Sequence, residues 1–111
     1  MIYHIAEKSI WNAAQAEGLY RTPSLESEGF IHFSTQEQVV TTANRFYKGR
    51  TDLVLLAVES DHLTAPLRYE NVLEHGIFPH LYGDLNVDAV VEAIPFTPGS
   101  DGYFSLSLSP E

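Results

Sequence analysis

A single α+β domain is what the sequence predicts, and three features predict it. Short strand-like stretches outnumber helical ones, two segments carry helical spacing with their own start and stop signals, and no Pro/Gly/Ser linker or internal repeat divides the chain. At 111 residues it has the common size of one domain, read here as 1–111. Folding at that length buries roughly two-thirds of the open chain's surface, and a hydrophobic fraction of 44% supplies the material.

The elements follow in order. "MIYHIA" reads as a short first strand. "EKSIWNAAQAEG" reads as a helix with Ile10, Trp11 and Ala14 along one side, stopped by Gly18. "LYRTPSLESEG" reads as a loop carrying Pro23. "FIHF" is a second short strand, ended at once by a helix start. Ser34 with Glu37 and Thr35 with Gln38 both fit the capping-box spacing, and Val39, Val40, Ala43, Phe46 and Tyr47 recur at helical spacing up to Gly49. "DLVLLAVE" is a nearly continuous apolar run and so a central strand, apolar on both faces. "LRYENV" is an edge strand or hairpin arm, "FPHLYGDLN" a turn-rich loop, and "AVVEAIPF" and "YFSLSL" are the last strands.

Composition excludes several functions. With no cysteine, disulfides, thiolate nucleophiles and cysteine zinc sites are ruled out. The start of the chain lacks the basic-then-apolar pattern of a secretory signal, and no stretch is long enough to span a membrane, so a cytosolic protein is expected. A net charge of −9 with only six Lys and Arg opposes a broad nucleic-acid surface. Arg45, Lys48 and Arg50 cluster, which leaves room for a local anion site.

Four polar groups are not explained by the apolar pattern. His4 lies inside the first strand, and His32 inside the second, on the face opposite Ile31 and Phe33 by alternation. His80 follows Pro79 in "FPHLYG", and Glu70 lies on a strand. Each has a plain structural explanation: a satisfied strand histidine, a charged edge, a tight connection. Together they suit one cleft, because a group that titrates near neutrality serves proton transfer or polar recognition. His4 and His32 are therefore expected on neighbouring strands with a shared face, and His62 and His75 at the surface. The same histidines with Glu70 are also the donors a zinc or iron hydrolase would use, although no HExxH, P-loop or GxSxG pattern is present.

The blocks "YHIA", "EGFIHFSTQEQV", "TANRFY", "LVLLAVE", "YEN" and "FPHLYGDLNVDAVV" resemble the domain-of-unknown-function family 952 over about residues 2–97. That family in turn distantly resembles the ADP-ribosyltransferase superfamily and its RNA 2′-phosphotransferase relatives. The resemblance implies split small sheets with two main helices and NAD as a substrate held between the sheets, with no other cofactor. It would place His4 on the ligand's ribose and His32 or Ser34 toward the ligand, with Phe33 available to stack. Glu70, Glu74, His80 and Tyr82 are all candidates for the glutamate position. His4, His32, Glu70 and His80 are thus the candidate catalytic residues, and Phe33, Ser34, Thr35, Tyr82 and Arg45 the candidate ligand-binding residues. The helix starting near Ser34 offers free backbone N–H groups to a phosphate. The alternatives are a binding module without catalysis and the metal-dependent hydrolase.

Overall fold

The structure is a computed structural model that describes residues 1–106. The chain runs β1 (Ile2–Glu7), α1 (Lys8–Glu17), β2 (Leu19–Tyr20), α2 (Ser24–Ser27), β3 (Ile31–His32), α3 (Gln36–Phe46), β4 (Leu53–Val58), β5 (Leu67–Val72), β6 (Gly76–Leu81), β7 (Leu85–Asn86) and β8 (Val90–Phe96), with single 3-10 turns at Ser60–His62 and Val87–Ala89. Among the described residues these strands form three small antiparallel sheets, ordered β1-β4-β8, β2-β7 and β3-β6-β5. One antiparallel bridge, Tyr3 to Ser34, joins the edge of the first sheet to the edge of the third. The α+β class is as expected, with α2 as a third, single-turn helix where a loop was expected.

β4 explains its own composition. All six of its residues are buried, since it is central in its sheet and both faces are covered. Leu53, Leu55 and Ala57 pack with Tyr3, Ile5, Val39, Ala43 and Phe96 on the α3 side. Val54, Leu56 and Val58 pack with Trp11, Ala14, Ile31, Phe33 and Leu81 on the other. Each fully buried leucine contributes about 1.5–3 kcal/mol.

α1 ends at Gly18, whose φ of 83° is left-handed and whose N–H bonds the Ala14 carbonyl at 2.9 Å. Only Trp11 and Ala14 of its apolar residues are buried, and Ile10 is exposed. α3 buries Val39 and Ala43 but leaves Phe46 65% exposed. The apolar stripe therefore runs past the core and out over a cavity.

Three local expectations are corrected. "FPHLYG" is not a loop: Phe78 to Leu81 lie in β6, between β3 and β5. Pro79 is tolerated there because its missing N–H falls on the β3 side, where that two-residue strand has ended, while its carbonyl still accepts the Phe33 N–H at 3.0 Å. The stretch "LYRT" contributes β2, pairing with β7. Tyr103 to Leu106 are not a strand, and the rest of "YFSLSL" lies outside the described residues. Among the described residues no helix is long and apolar enough to cross a membrane.

Candidate functional site

The site is built where the two three-stranded sheets meet. At the bridge, Tyr3 and Ser34 exchange N–H to carbonyl hydrogen bonds, both of 2.8 Å. Bridged partners share a face and neighbours alternate. His4 and Phe33 therefore point to one side, and Tyr3, Ser34 and His32 to the other. The ring contact of His4 with Phe33, 5.3 Å between centroids, agrees. The expected common face for His4 and His32 is not observed.

His4 is buried with both nitrogens engaged. Nδ1 lies 2.6 Å from the His32 carbonyl oxygen, and Nε2 lies 2.8 Å from the Tyr20 hydroxyl. A carbonyl can only accept, so Nδ1–H donates to it, and Nε2 accepts from Tyr20. Burial pushes the His4 imidazole down to about 4 and the Tyr20 phenol up. His4 is thus a neutral strut between β1, β2 and β3. Contact with a ribose would break a bond it already makes. Tyr20 was not singled out from the sequence, because a strand of two residues carries too little alternation to mark it.

His80 is different. On β6 it pairs with His32 of β3 and Arg68 of β5, so these side chains share the outer face while Ile31, Leu81 and Leu67 take the other. Its side chain is only 6% accessible. Nδ1–H donates to Glu70 Oε1 at 2.7 Å, and the Tyr82 hydroxyl donates to the same oxygen at 2.5 Å. The Tyr82 hydroxyl first, and His80 second, hold the Glu70 carboxyl below its usual range; the same bond raises the Tyr82 phenol. The ring stacks on Phe30, centroids 4.0 Å apart and planes 16° from parallel. Nε2 is sheltered from solvent and has no hydrogen-bond partner. Such an orphan is costly in a fold and marks a place where a ligand or water is expected.

His32 has a side chain 57% accessible and holds Glu28 through Nε2 at 2.6 Å. Its ring meets Phe30 and His80 edge-on, at 4.9 and 5.5 Å. Phe30 and Glu28 were not singled out from the sequence. Phe30 lies two positions from His32, and alternation alone puts it on the histidine face.

Beside this cluster is a cavity of about 420 Å³, under the C-terminal half of α3. β1 and its bridge contribute Tyr3, His4, Ile5, Phe33 and Ser34. Thr42, Arg45, Phe46 and Tyr47 come from α3 and its end, and Val72, His75, Phe78, His80 and His32 complete the wall. The size suits a small-molecule ligand. Of the sequence candidates, His4, His32, His80, Phe33, Ser34 and Arg45 therefore line the cavity. Glu70 and Tyr82 stand behind His80, and Thr35 caps α3 away from it. The first turn of α3 contributes no lining residue, so the expected phosphate seat at the helix start is not in the cavity. Among the described residues Arg45 is the single Lys or Arg on its wall. Of the two surface histidines expected, both are exposed, and His75 also lines the cavity.

A smaller cavity of about 240 Å³ continues from the first, sharing His4, Ile5, His32 and Tyr47. Its Arg21 and Arg50 are already paired, with Asp84 at 3.3 Å and with Asp52 and Glu7. Among the described residues no three His, Asp or Glu side chains gather as a metal site would require. The metal-dependent hydrolase therefore lacks its ligand set there.

Comparison with known proteins yields a family and a fold. The sequence profile of the family described as "Protein of unknown function (DUF952)" matches residues 5–93. The crystal structure of protein CC0527 from Caulobacter crescentus is similar with a TM-score of 0.85 and 36% identity, over 94% of this chain and 92% of that one. The solution structure of the same protein gives a TM-score of 0.81 and 37% identity, over 92% and 89%. No curated protein matches the chain.

Proposed function

We propose that this chain, which belongs to the DUF952 family, binds a nucleotide-like small molecule in the cavity between its sheets, with His80 as the polar anchor. The observation that carries the reading is the state of His80: a buried residue of the cavity lining, oriented by Glu70 through Nδ1 and left with an unpartnered Nε2. The wall supports the ligand class. Phe33, Phe46, Phe78, Tyr3 and Tyr47 offer flat apolar surface to a planar ring, and Arg45 offers one positive charge to an anionic group. The ADP-ribosyltransferase resemblance expected from the sequence blocks would point the same way, since those proteins hold NAD between small sheets.

Binding is better supported than ADP-ribosyl transfer. Transfer from NAD calls for a carboxylate beside the breaking glycosidic bond. Glu70 stands behind His80, with one oxygen engaged by both His80 and Tyr82. A carboxylate placed there orients the imidazole and leaves proton exchange to His80.

Calorimetric titration tests the reading. NAD and ADP-ribose are expected to bind weakly, and more weakly as salt rises, because a single arginine attracts the phosphates in a protein of net charge −9. His80→Gln should weaken binding at least tenfold with an unchanged circular dichroism spectrum. Heat indistinguishable from dilution at millimolar ligand overturns the proposal.

A further inference from the structure

β5 is an open sheet edge, and the register identifies its outward groups one by one. Among the described residues its strand neighbour is β6 alone. The Pro79 carbonyl faces β3, where it accepts the Phe33 N–H, so the next residue of β6, His80, turns its backbone groups toward β5. Its partner Arg68 therefore faces β6, and the bond from the Tyr82 N–H to the Pro66 carbonyl keeps the same phase. Alternation turns the N–H and carbonyl groups of Leu67, Tyr69 and Asn71 away from the sheet. No hydrogen bond among the described residues uses them.

Edge strands are usually blunted by a proline, a bulge or charges that repel a second strand. β5 has none of these. Its pairing with β6 runs without a register shift, Pro66 precedes it, and its charged residues are one arginine and one glutamate. β8, an edge of the first sheet, carries Pro95 and a register shift against β4. Exposed apolar surface also gathers on this hairpin, where Tyr69, Leu73 and Ile77 are 56%, 80% and 58% accessible.

We propose that β5 pairs antiparallel with β5 of a second copy of this chain, joining two three-stranded sheets into one continuous sheet. Charge selects the register. A two-fold axis at Tyr69 sets Tyr69 against its own copy, Leu67 against the partner's Asn71, and Arg68 against the partner's Glu70. The outward groups of Leu67, Tyr69 and Asn71 then all find backbone partners. Arg68 and Glu70 fall in the non-hydrogen-bonded pairs, where side chains come closest and opposite charges stabilise. An axis at Arg68 or at Glu70 would instead set like charges face to face. Both groups have capacity for the contact. Arg68 lies over the Tyr82 ring, 5.4 Å from its centroid, with no ion pair among the described residues. Glu70 commits Oε1 alone to His80 and Tyr82. The pairing stands whether or not the cavity takes a nucleotide.

Sedimentation equilibrium of the full chain, at concentrations up to about 1 mM, is the test. Each copy carries a charge of −9, so salt is held at about 0.15 M to screen the long-range repulsion. A species of twice the chain mass is expected. Amide exchange at Leu67, Tyr69 and Asn71 should slow as concentration rises, while Arg68 and Glu70, already bonded to β6, stay unchanged. Arg68→Glu turns an attraction into a repulsion and should weaken association at least tenfold. Tyr69→Pro removes an outward N–H and no bond to β6, and should do the same. Circular dichroism checks that both variants fold, and if Tyr69→Pro does not, Arg68→Glu decides. A monomer throughout overturns the proposal. So does a dimer that survives Arg68→Glu or leaves those three amides unprotected.

Discussion

His4 stays neutral because burial disfavours the charged imidazolium and outweighs the bond from its Nδ1–H to the His32 carbonyl, which by itself favours the proton; Nε2 accepts from the Tyr20 hydroxyl. The consequence is a pH-dependent stability whose sign is fixed. The imidazole titrates near 6.5 when unfolded and at about 4 when folded. Between those values the unfolded chain binds a proton that the native protein refuses, so stability falls as pH drops from 6.5 to 4 and the effect levels off below. The span of about 2.5 units corresponds to roughly 3 kcal/mol. Urea midpoints measured across this range should fall steeply, and His4→Gln should flatten that part of the curve. Parallel curves for the two proteins would show that burial of His4 imposes no such penalty. Glu70 acts in a lower window. Its carboxyl is held down by Tyr82 and His80, so its contribution is present above the ordinary carboxylate range and lost on further acidification.

The start of α3 shows how an element is specified locally and then tied to the fold. Both Ser34 and Thr35 fit the capping spacing by sequence, and the structure decides between them. Thr35 is the N-cap of a capping box, with Gln38 Oε1 accepting the Thr35 N–H at 2.9 Å. Ser34 is committed instead to the backbone bridge with Tyr3. The amide nitrogen of Gln38 donates to the Ile77 carbonyl at 2.6 Å, which fastens the helix start to β6. Thr35→Ala should therefore cost about 1 kcal/mol in urea unfolding, whereas Ser34→Ala should leave the helix start intact. Equal losses from the two changes would mean that Thr35 has no special capping role. The other end of α3 matters for the cavity, since Phe46 and Arg45 are placed there by helical phase.

At the scale of the molecule, a chain segment distant in sequence closes the core. Phe104 is buried and stacks on Phe96 with centroids 4.6 Å apart. Asn44 holds its backbone twice, accepting the Phe104 N–H at 2.6 Å and donating to its carbonyl at 3.3 Å. Asn44→Ala removes both bonds and leaves half-buried backbone groups unpaired, so a loss of about 1–3 kcal/mol is expected. Native-state hydrogen exchange should show faster exchange at Phe104 in that variant. Unchanged exchange there would show that aromatic packing alone holds the segment. Gly83 is a second fixed point: a methyl group added there would meet Ala65 Cβ at 2.7 Å, with the backbone already at φ 153°.

What the sequence determined by itself was whatever periodicity and termination signals encode. The buried run of β4, the Gly18 stop, the capping spacing before α3 and the edge strand β5 were all legible, because each depends on residues within a few positions of one another. The candidate site was legible only as residue types. His32, His80 and Glu70 stood out as polar groups in apolar stretches, yet their roles depend on register. The pairing of His32 with His80, the diagonal approach of Glu70 and the stacking of Phe30 follow from strands brought together across tens of residues. His4 shows the same limit from the other side. Alternation marks it as unusual in its strand, but whether it meets a ligand or a tyrosine depends on where β2 lies, and two residues of β2 carry too little pattern to be read. Composition and local spacing therefore settled the class and the helix ends. The tertiary structure decided which histidine is a strut and which is free to act, because an imidazole's role is set by what occupies its two nitrogens.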